Sequence, residues 1–307
     1  RPVTVVGLSA MNSPADDTRI TSLGREPLRV LSAAQRRSYE QDGFLAVEGL
    51  VTQQWLTRLR EAMAVFVEQS RGLPESTPLF DLESDHSAQR PRLRRLVSPA
   101  DLHETFWEFA SNSVVTDLVQ DLLGPDIKFH HSKLNFKAPH GGEEVKWHQD
   151  IQFWPHTNYG PLTIGLFLSD VKAEMGNVGF VPGSHEGELF DQYDGERWAG
   201  CLCEDDVTRL ETERAVYPTG PAGTLTVHNC RTVHGSPPNR SAHERPLLLQ
   251  TYAPADAFVY TDLVRKSPRG DTLIRGQPAR WARHDPRPCQ VGPSAVRTIF
   301  EVQQGET

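Results

Sequence analysis

The sequence predicts a mainly β protein: a sandwich or barrel of short antiparallel strands with a helical layer at its N-terminal side. Three observations predict it. Apolar residues at helical spacing are confined to roughly the first 125 positions. Beyond them, period-two alternation and short apolar runs broken by Gly, Pro and Asn take over. A chain of 307 residues with 37% hydrophobic content can bury one substantial core and is short for two full domains. Helices first and strands afterwards fit that architecture.

The elements follow in order. Residues 1–30 carry no signal-peptide core and are expected to be a flexible segment outside the fold. The rest, 31–307, is expected to be one domain: a helical layer over about 31–125, a β core over about 126–260 and a C-terminal extension over about 261–307. Ser32 and Gln35 make a capping box for a first helix, which Asp42-Gly43 ends. FLAVEGL (44–50) reads as a strand. Thr52 caps a second helix, and its Trp55, Leu59, Ala62, Met63, Phe66 and Val67 recur at core-facing spacing. Residues 71–97, polar and Arg-rich, read as loops. Ser98-Pro99 opens a further helix by the cap-then-proline rule, and another over roughly 112–123 ends at Gly124-Pro125. IKFHHSKLNFK (127–137), PLTIGLFLSDV (161–171), NVGFVPGSH (177–185), GTLTVHN (223–229) and RPLLLQTYAP (245–254) read as strands. His130 and His131 should alternate faces, so that at most one points inward. The Arg- and Pro-rich tail from about 262 reads as solvated surface.

Composition removes several classes. A net charge of −8 argues against a nucleic-acid partner. No stretch is long and apolar enough to span a bilayer as a helix. Four cysteines, without zinc-type pairing, fit reduced thiols in a cytosolic protein. A small-molecule partner remains.

The chemistry gathers around VKWHQDIQFW (145–154). On a strand, His148 and Asp150 would share one face with Gln152 and Trp154, and Trp147 would face away. His-x-Asp occurs by chance roughly half a time in such a chain, so its context has to carry the argument. An imidazole and a carboxylate side by side are two thirds of the 2-His-1-carboxylate triad that suits Fe(II). His228 and His234 can each supply the third ligand. A hairpin centred on Asn239-Arg240 would set His234 opposite Arg245, on one face, with Ser236 close by. A guanidinium there can fork onto a carboxylate, and 2-oxoglutarate needs such an anchor for its distal end.

The HQD motif, the VPGSH segment, the HGS motif, the Arg eleven residues after the second His and the opening LSAAQRRSYEQDGFLAVEGL together resemble the phytanoyl-CoA dioxygenase family. The resemblance covers about residues 31–260. It implies a double-stranded β-helix (jelly-roll) core and an oxygenase using Fe(II), 2-oxoglutarate and dioxygen (O2). It implies His148, Asp150 and His234 as iron ligands. It implies Arg245 for the distal carboxylate, with Ser236 assisting, and Trp154, Lys133 and Asn135 lining the co-substrate pocket. Halogenating relatives replace the carboxylate by a small residue, so Asp150 favours hydroxylation. A metal-binding module without turnover and a cupin-like hydrolase or isomerase stay open at this point; Arg245 speaks against the latter. The abundance of Arg over Lys suggests a GC-rich bacterial source and a biosynthetic role. Oligomeric state and substrate are not encoded legibly.

Overall fold

Eight strands in one antiparallel sheet form the larger wall of the molecule, and three in a second sheet form the smaller. The computed structural model describes residues 27–261, 267–293 and 299–304; most of the N-terminal segment expected to be flexible lies outside these. The strands, in chain order, are β1 (Phe44–Val47), β2 (Phe80–Leu82), β3 (Leu93–Val97), β4 (Ile127–Lys137), β5 (Val145–His148), β6 (Leu162–Phe167), β7 (Gly179–Phe180), β8 (Tyr193–Asp194), β9 (Arg197–Trp198), β10 (Leu225–Asn229), β11 (His234–Ser236), β12 (Arg245–Pro254) and β13 (Leu273–Arg275). The large sheet runs β1-β10-β6-β12-β4-β3-β2, with β13 also on β4. The small one runs β5-β11-β7, and β8 and β9 pair separately.

The helices α1 (Ala33–Asp42), α2 (Gln53–Ser70), α3 (Pro99–Leu102), α4 (Glu104–Ser111) and α5 (Val114–Leu123) precede the β core. Two short ones, α6 (Glu204–Arg209) and α7 (Ile299–Gln304), lie later in the chain. α1 opens on the expected capping box: Ser32 Oγ accepts from the Gln35 amide at 3.2 Å, and Gln35 Oε1 accepts from the Ser32 amide at 2.8 Å. It ends at Gly43 with φ +79°, a left-handed cap that suits glycine. Arg29, Val30 and Leu31 donate their amides to the Asp121 carboxylate, which ties the chain to α5 before α1 begins.

Strand alternation sets the two faces of the large sheet. Leu134, Leu162, Ile164, Leu166, Leu225, Val227 and Leu248 join one core with Leu59, Phe66, Phe106, Phe109 and Leu118 of the helices. Burying each such side chain is worth about 1.5–3 kcal/mol. The alternate residues, among them His131, Lys133 and Asn135 on β4 and His228 on β10, face the other way. That side meets the small sheet: the His228 and His234 rings are 4.4 Å apart.

Two expectations need correction, and one holds only in part. Residues 71–97 contain β2 and β3. Arg95, buried on β3, is tolerated because its cross-strand partner Asp81 forms an ion pair with it at 2.8 Å. Ser98-Pro99 does open a helix, α3, with Ser98 at the cap position and Pro99 first in the helix, but Ser98 has φ 54° and makes no side-chain cap bond, and after four residues His103 caps α4. The tail is not simply solvated: β13 pairs with β4, and Tyr159 and Asn158 bond backbone carbonyls at Pro288 and Arg283.

Candidate metal centre and co-substrate pocket

His148 and His234 are register partners across β5 and β11, which puts both imidazoles on one face. The strand stops at His148. Asp150 stands in a single 3-10 turn, Asp150–Gln152, which swings its carboxylate back under the two rings. One nitrogen of each His and one oxygen of Asp150 lie within 4.8 Å of one another, the only metal-holding cluster among the described residues. His148 Nε2 is 3.7 Å and His234 Nε2 3.9 Å from Asp150 Oδ1, close enough for one ion to reach all three. All three residues are buried.

The tautomers are set by the backbone. His148 Nδ1 donates to Lys146 O at 2.9 Å, and His234 Nδ1 to Thr232 O at 2.9 Å. Each Nε2 therefore presents its lone pair, as a metal-bound imidazole requires. Burial, then the neighbouring His148 and His228, hold His234 well below the usual histidine range, so it stays neutral. Burial pushes the Asp150 carboxyl up. The imidazoles of His234, His148 and His228 around it outweigh burial, hold it well below the usual carboxylate range and keep Asp150 ionised. Two neutral imidazoles and one carboxylate are a donor set that suits Fe(II).

His228, the alternative ligand in the sequence, stands behind the carboxylate. Its Nε2 donates to Asp150 Oδ2 at 3.4 Å, away from the oxygen shared by the two ligand histidines. Gln152 and Trp154 do not share a strand face with His148, because the turn intervenes. Gln152 is built into a buried amide network with Gln192 and Phe190 O. Trp154 packs with Ile151, Tyr159 and Cys230, and its ring touches His130, His131 and His156. Trp147 faces outward against the Val181–Phe190–Leu202–Val233 cluster, as alternation requires.

The hairpin expected to set His234 opposite Arg245 does not form. His234 pairs with His148 and Phe180, whereas Arg245 pairs with Lys137. Pro237 and Pro238 cannot donate to a ladder, and the loop after β11 crosses from the small sheet to the large one. The two residues still meet, through Lys137. Its ammonium donates to Ser236 Oγ at 2.6 Å and to Pro237 O at 2.9 Å, and it lies directly across the ladder from Arg245. Burial, then Arg245, push Lys137 down to about 7. Alternation would have found Lys137, four residues beyond Lys133 on the same strand face.

Arg245 is 3% exposed, and burial pulls its guanidinium down to about 10. Its single hydrogen bond among the described residues runs from Nη2 to Gly176 O at 3.0 Å. Nε is buried without a partner among the described residues. A buried guanidinium without a carboxylate fits the distal end of a dicarboxylate such as 2-oxoglutarate. Asn135, with its Oδ1 buried and unpartnered, and Lys133 lie on the same strand face.

A jelly-roll carrying two histidines and one carboxylate at the junction of its sheets defines a non-haem iron oxygenase that uses 2-oxoglutarate. The phytanoyl-CoA dioxygenase family model matches residues 39–247, and the chain belongs to that family. A probable alpha-ketoglutarate-dependent hypophosphite dioxygenase of Stutzerimonas stutzeri is 33% identical over 232 residues, covering 74% of this chain and 80% of the relative. The L-proline trans-4-hydroxylase of Streptomyces griseoviridis is 29% identical over 233 residues, covering 70% and 83%. The crystal structure of EctD from S. alaskensis with bound Fe shares the fold, with a TM-score of 0.63 at 21% identity over 86% of this chain and 89% of that one. Dependence on iron and 2-oxoglutarate follows from this family and this triad. No helix among the described residues is long and apolar enough to cross a membrane.

Proposed function

We propose that the protein hydroxylates an unactivated C–H bond of a small polar metabolite, with His148, Asp150 and His234 holding Fe(II) and Arg245 anchoring 2-oxoglutarate. One observation carries the reading: a buried guanidinium with one hydrogen bond, linked to the triad strand through Lys137 and Ser236. The relatives' named substrates, hypophosphite and L-proline, are small and polar, which supports a substrate of that kind. β1, β3 and β13 join the core sheet, which supports residues 31–307 as one oxygenase domain. The four free cysteines suit the cytoplasm, and the charge of −8 suits a protein without a nucleic-acid partner.

When bound, the iron with 2-oxoglutarate and O2 supplies the oxidation, releasing succinate and carbon dioxide. The chain does the positioning. The carbonyls of Lys146 and Thr232 orient the two imidazoles. His228 holds the outer oxygen of Asp150, so that the inner one faces the metal. Arg245 forks onto the distal carboxylate, and Ser236 Oγ, held by Lys137, assists. Asn135 contacts the chelating end, Lys133 lines the pocket beside it, and Trp154 closes the pocket against water.

The test is succinate release with Fe(II), 2-oxoglutarate and O2 across a panel of small polar metabolites. The reading predicts substrate-stimulated succinate in the wild type and none in Asp150→Ala. Full turnover in that variant, or oxygen-independent turnover with zinc, overturns it.

A further inference from the structure

Strand β4 carries an irregularity where it passes the triad. Opposite β12 the register shifts between Thr251 and Tyr252: Thr251 pairs with His131 and Tyr252 with Phe129, leaving His130 as the extra residue. A bulge of this kind re-aims side chains. It overturns the expectation that the two histidines alternate faces. Their Nδ1 atoms are hydrogen-bonded to each other, and their rings sit 4.7 Å apart. Trp154 is the hub of the cluster, with ring centroids 5.5 Å from His130, 5.9 Å from His131 and 5.7 Å from His156.

The hydrogen-bond accounting of this cluster does not close within the chain. His130 Nε2, His156 Nε2 and Trp154 Nε1 are all buried without a partner among the described residues. An unmade bond at a buried polar atom costs about 1–3 kcal/mol, so three in one cluster mark a place where a ligand is recognised. The available protons can be followed. In the His130–His131 bond one Nδ1 donates and the other accepts. When His131 donates, His130 carries its proton on its buried Nε2 and presents that N–H to the cluster. The Trp154 indole adds a second. His156 Nδ1 donates to Trp154 O at 2.7 Å, which leaves its Nε2 as an acceptor for an N–H or O–H on the same ligand.

The charges point the same way. Lys133, two residues along β4 from His131, makes no hydrogen bond or ion pair with another described residue, although it feels the charge of Asp150. Lys128 is already matched by Asp271 at 3.3 Å, and Arg95 by Asp81. Asp150, whose charge His131 feels, is committed to the metal. With the iron and 2-oxoglutarate of the proposed function in place, two positive charges on the metal and one each on Arg245 and Lys133 face three negative ones, and Lys137 adds a further positive charge below about pH 7. At least one positive charge is left over. The three imidazoles do not converge as metal ligands; among the described residues only the triad does.

We propose that the substrate is a small oxyanion-bearing molecule, a carboxylate or a phosphorus oxyanion, held by Lys133, the Trp154 indole N–H and the His130–His131 pair. This rests on the proposed function, because the subsite is defined by its place beside the iron and co-substrate.

The experiment is anaerobic calorimetry on the Fe(II) protein saturated with 2-oxoglutarate, which blocks the Arg245 pocket. The probes are two matched pairs, acetate against acetamide and inorganic phosphite against dimethyl phosphite. We expect at least one anion to bind tenfold or more tightly than its neutral twin, and the tighter anion names the class. That preference falls at least tenfold in Lys133→Met and in His131→Gln; the second variant serves if the first disturbs co-substrate binding. Equal binding of charged and neutral twins, or full anion binding in both variants, overturns the proposal while a normal 2-oxoglutarate spectrum leaves the proposed function standing. Absence of that spectrum in the wild type overturns the proposed function, and the subsite with it.

Discussion

Replacing Arg245 with Met separates the anchor role from any structural one, because the two roles predict opposite effects on the protein without co-substrate. The guanidinium is 3% exposed and makes one hydrogen bond, to Gly176 O. Burial alone pulls its pKa down to about 10, a penalty on the charged form of roughly 3 kcal/mol. The sign follows from linkage: near neutral pH the group is charged in folded and unfolded chains alike, so the penalty weighs fully against folding. Met removes the charge, keeps most of the volume and gives up one charged hydrogen bond worth about 1.5–3 kcal/mol. The ligand-free variant should therefore be as stable as the wild type or up to about 1.5 kcal/mol more stable. Co-substrate binding should move the other way. Losing one partner of a buried charge pair costs about 2–5 kcal/mol. Lys137 remains as a second cation, so the low end applies, a loss of roughly 30- to 100-fold in 2-oxoglutarate affinity. Chemical denaturation without ligand and an anaerobic 2-oxoglutarate titration read the two quantities. Unchanged affinity, or a ligand-free variant destabilised by several kcal/mol, refutes the anchor.

Three further outcomes follow from the same geometry. His228→Phe keeps ring bulk against Phe180 and His234 but removes the donor to Asp150 Oδ2, and should lower iron affinity about 10–100-fold in an anaerobic iron titration. Unchanged affinity would leave His228 a packing residue. Lys137, pushed down to about 7, is charged below that pH and neutral above it, so 2-oxoglutarate should bind more weakly as pH rises from about 6 to about 8. Lys137→Met should flatten that dependence, and a profile identical to wild type would exclude Lys137 as its source. Gly43→Ala forces φ +79° on a residue whose Cβ would collide with His185 and Thr232, and the backbone part alone should cost about 1–2 kcal/mol in a denaturant midpoint.

Much of the fold was legible because alternation is a local signal. The bounds of β4 and β12 follow directly from IKFHHSKLNFK and RPLLLQTYAP. β3 was not legible, because LRRLV buries an arginine that only Asp81, on another strand, makes tolerable. The metal triad was legible as residues but not as geometry. Asp150 reaches the site through a 3-10 turn, and two prolines carry the chain away from the hairpin that spacing alone suggests. The His130–His131 pair and His156 were hidden for a related reason. A bulge marked by neither Gly nor Pro brings the first two to Trp154, and the turn at Pro155 sets His156 beside the same ring, a contact that no local pattern announces.

The central claim is that one Fe(II) per chain sits on His148, Asp150 and His234 with 2-oxoglutarate held at Arg245. The direct measurement is the anaerobic visible spectrum during titration of Fe(II) and 2-oxoglutarate into the metal-free protein. The account predicts a charge-transfer band that saturates at about one iron per chain, is absent in Asp150→Ala and needs far more 2-oxoglutarate in Arg245→Met. A saturating band of equal strength in Asp150→Ala, or none in the wild type with both ligands in excess, contradicts it.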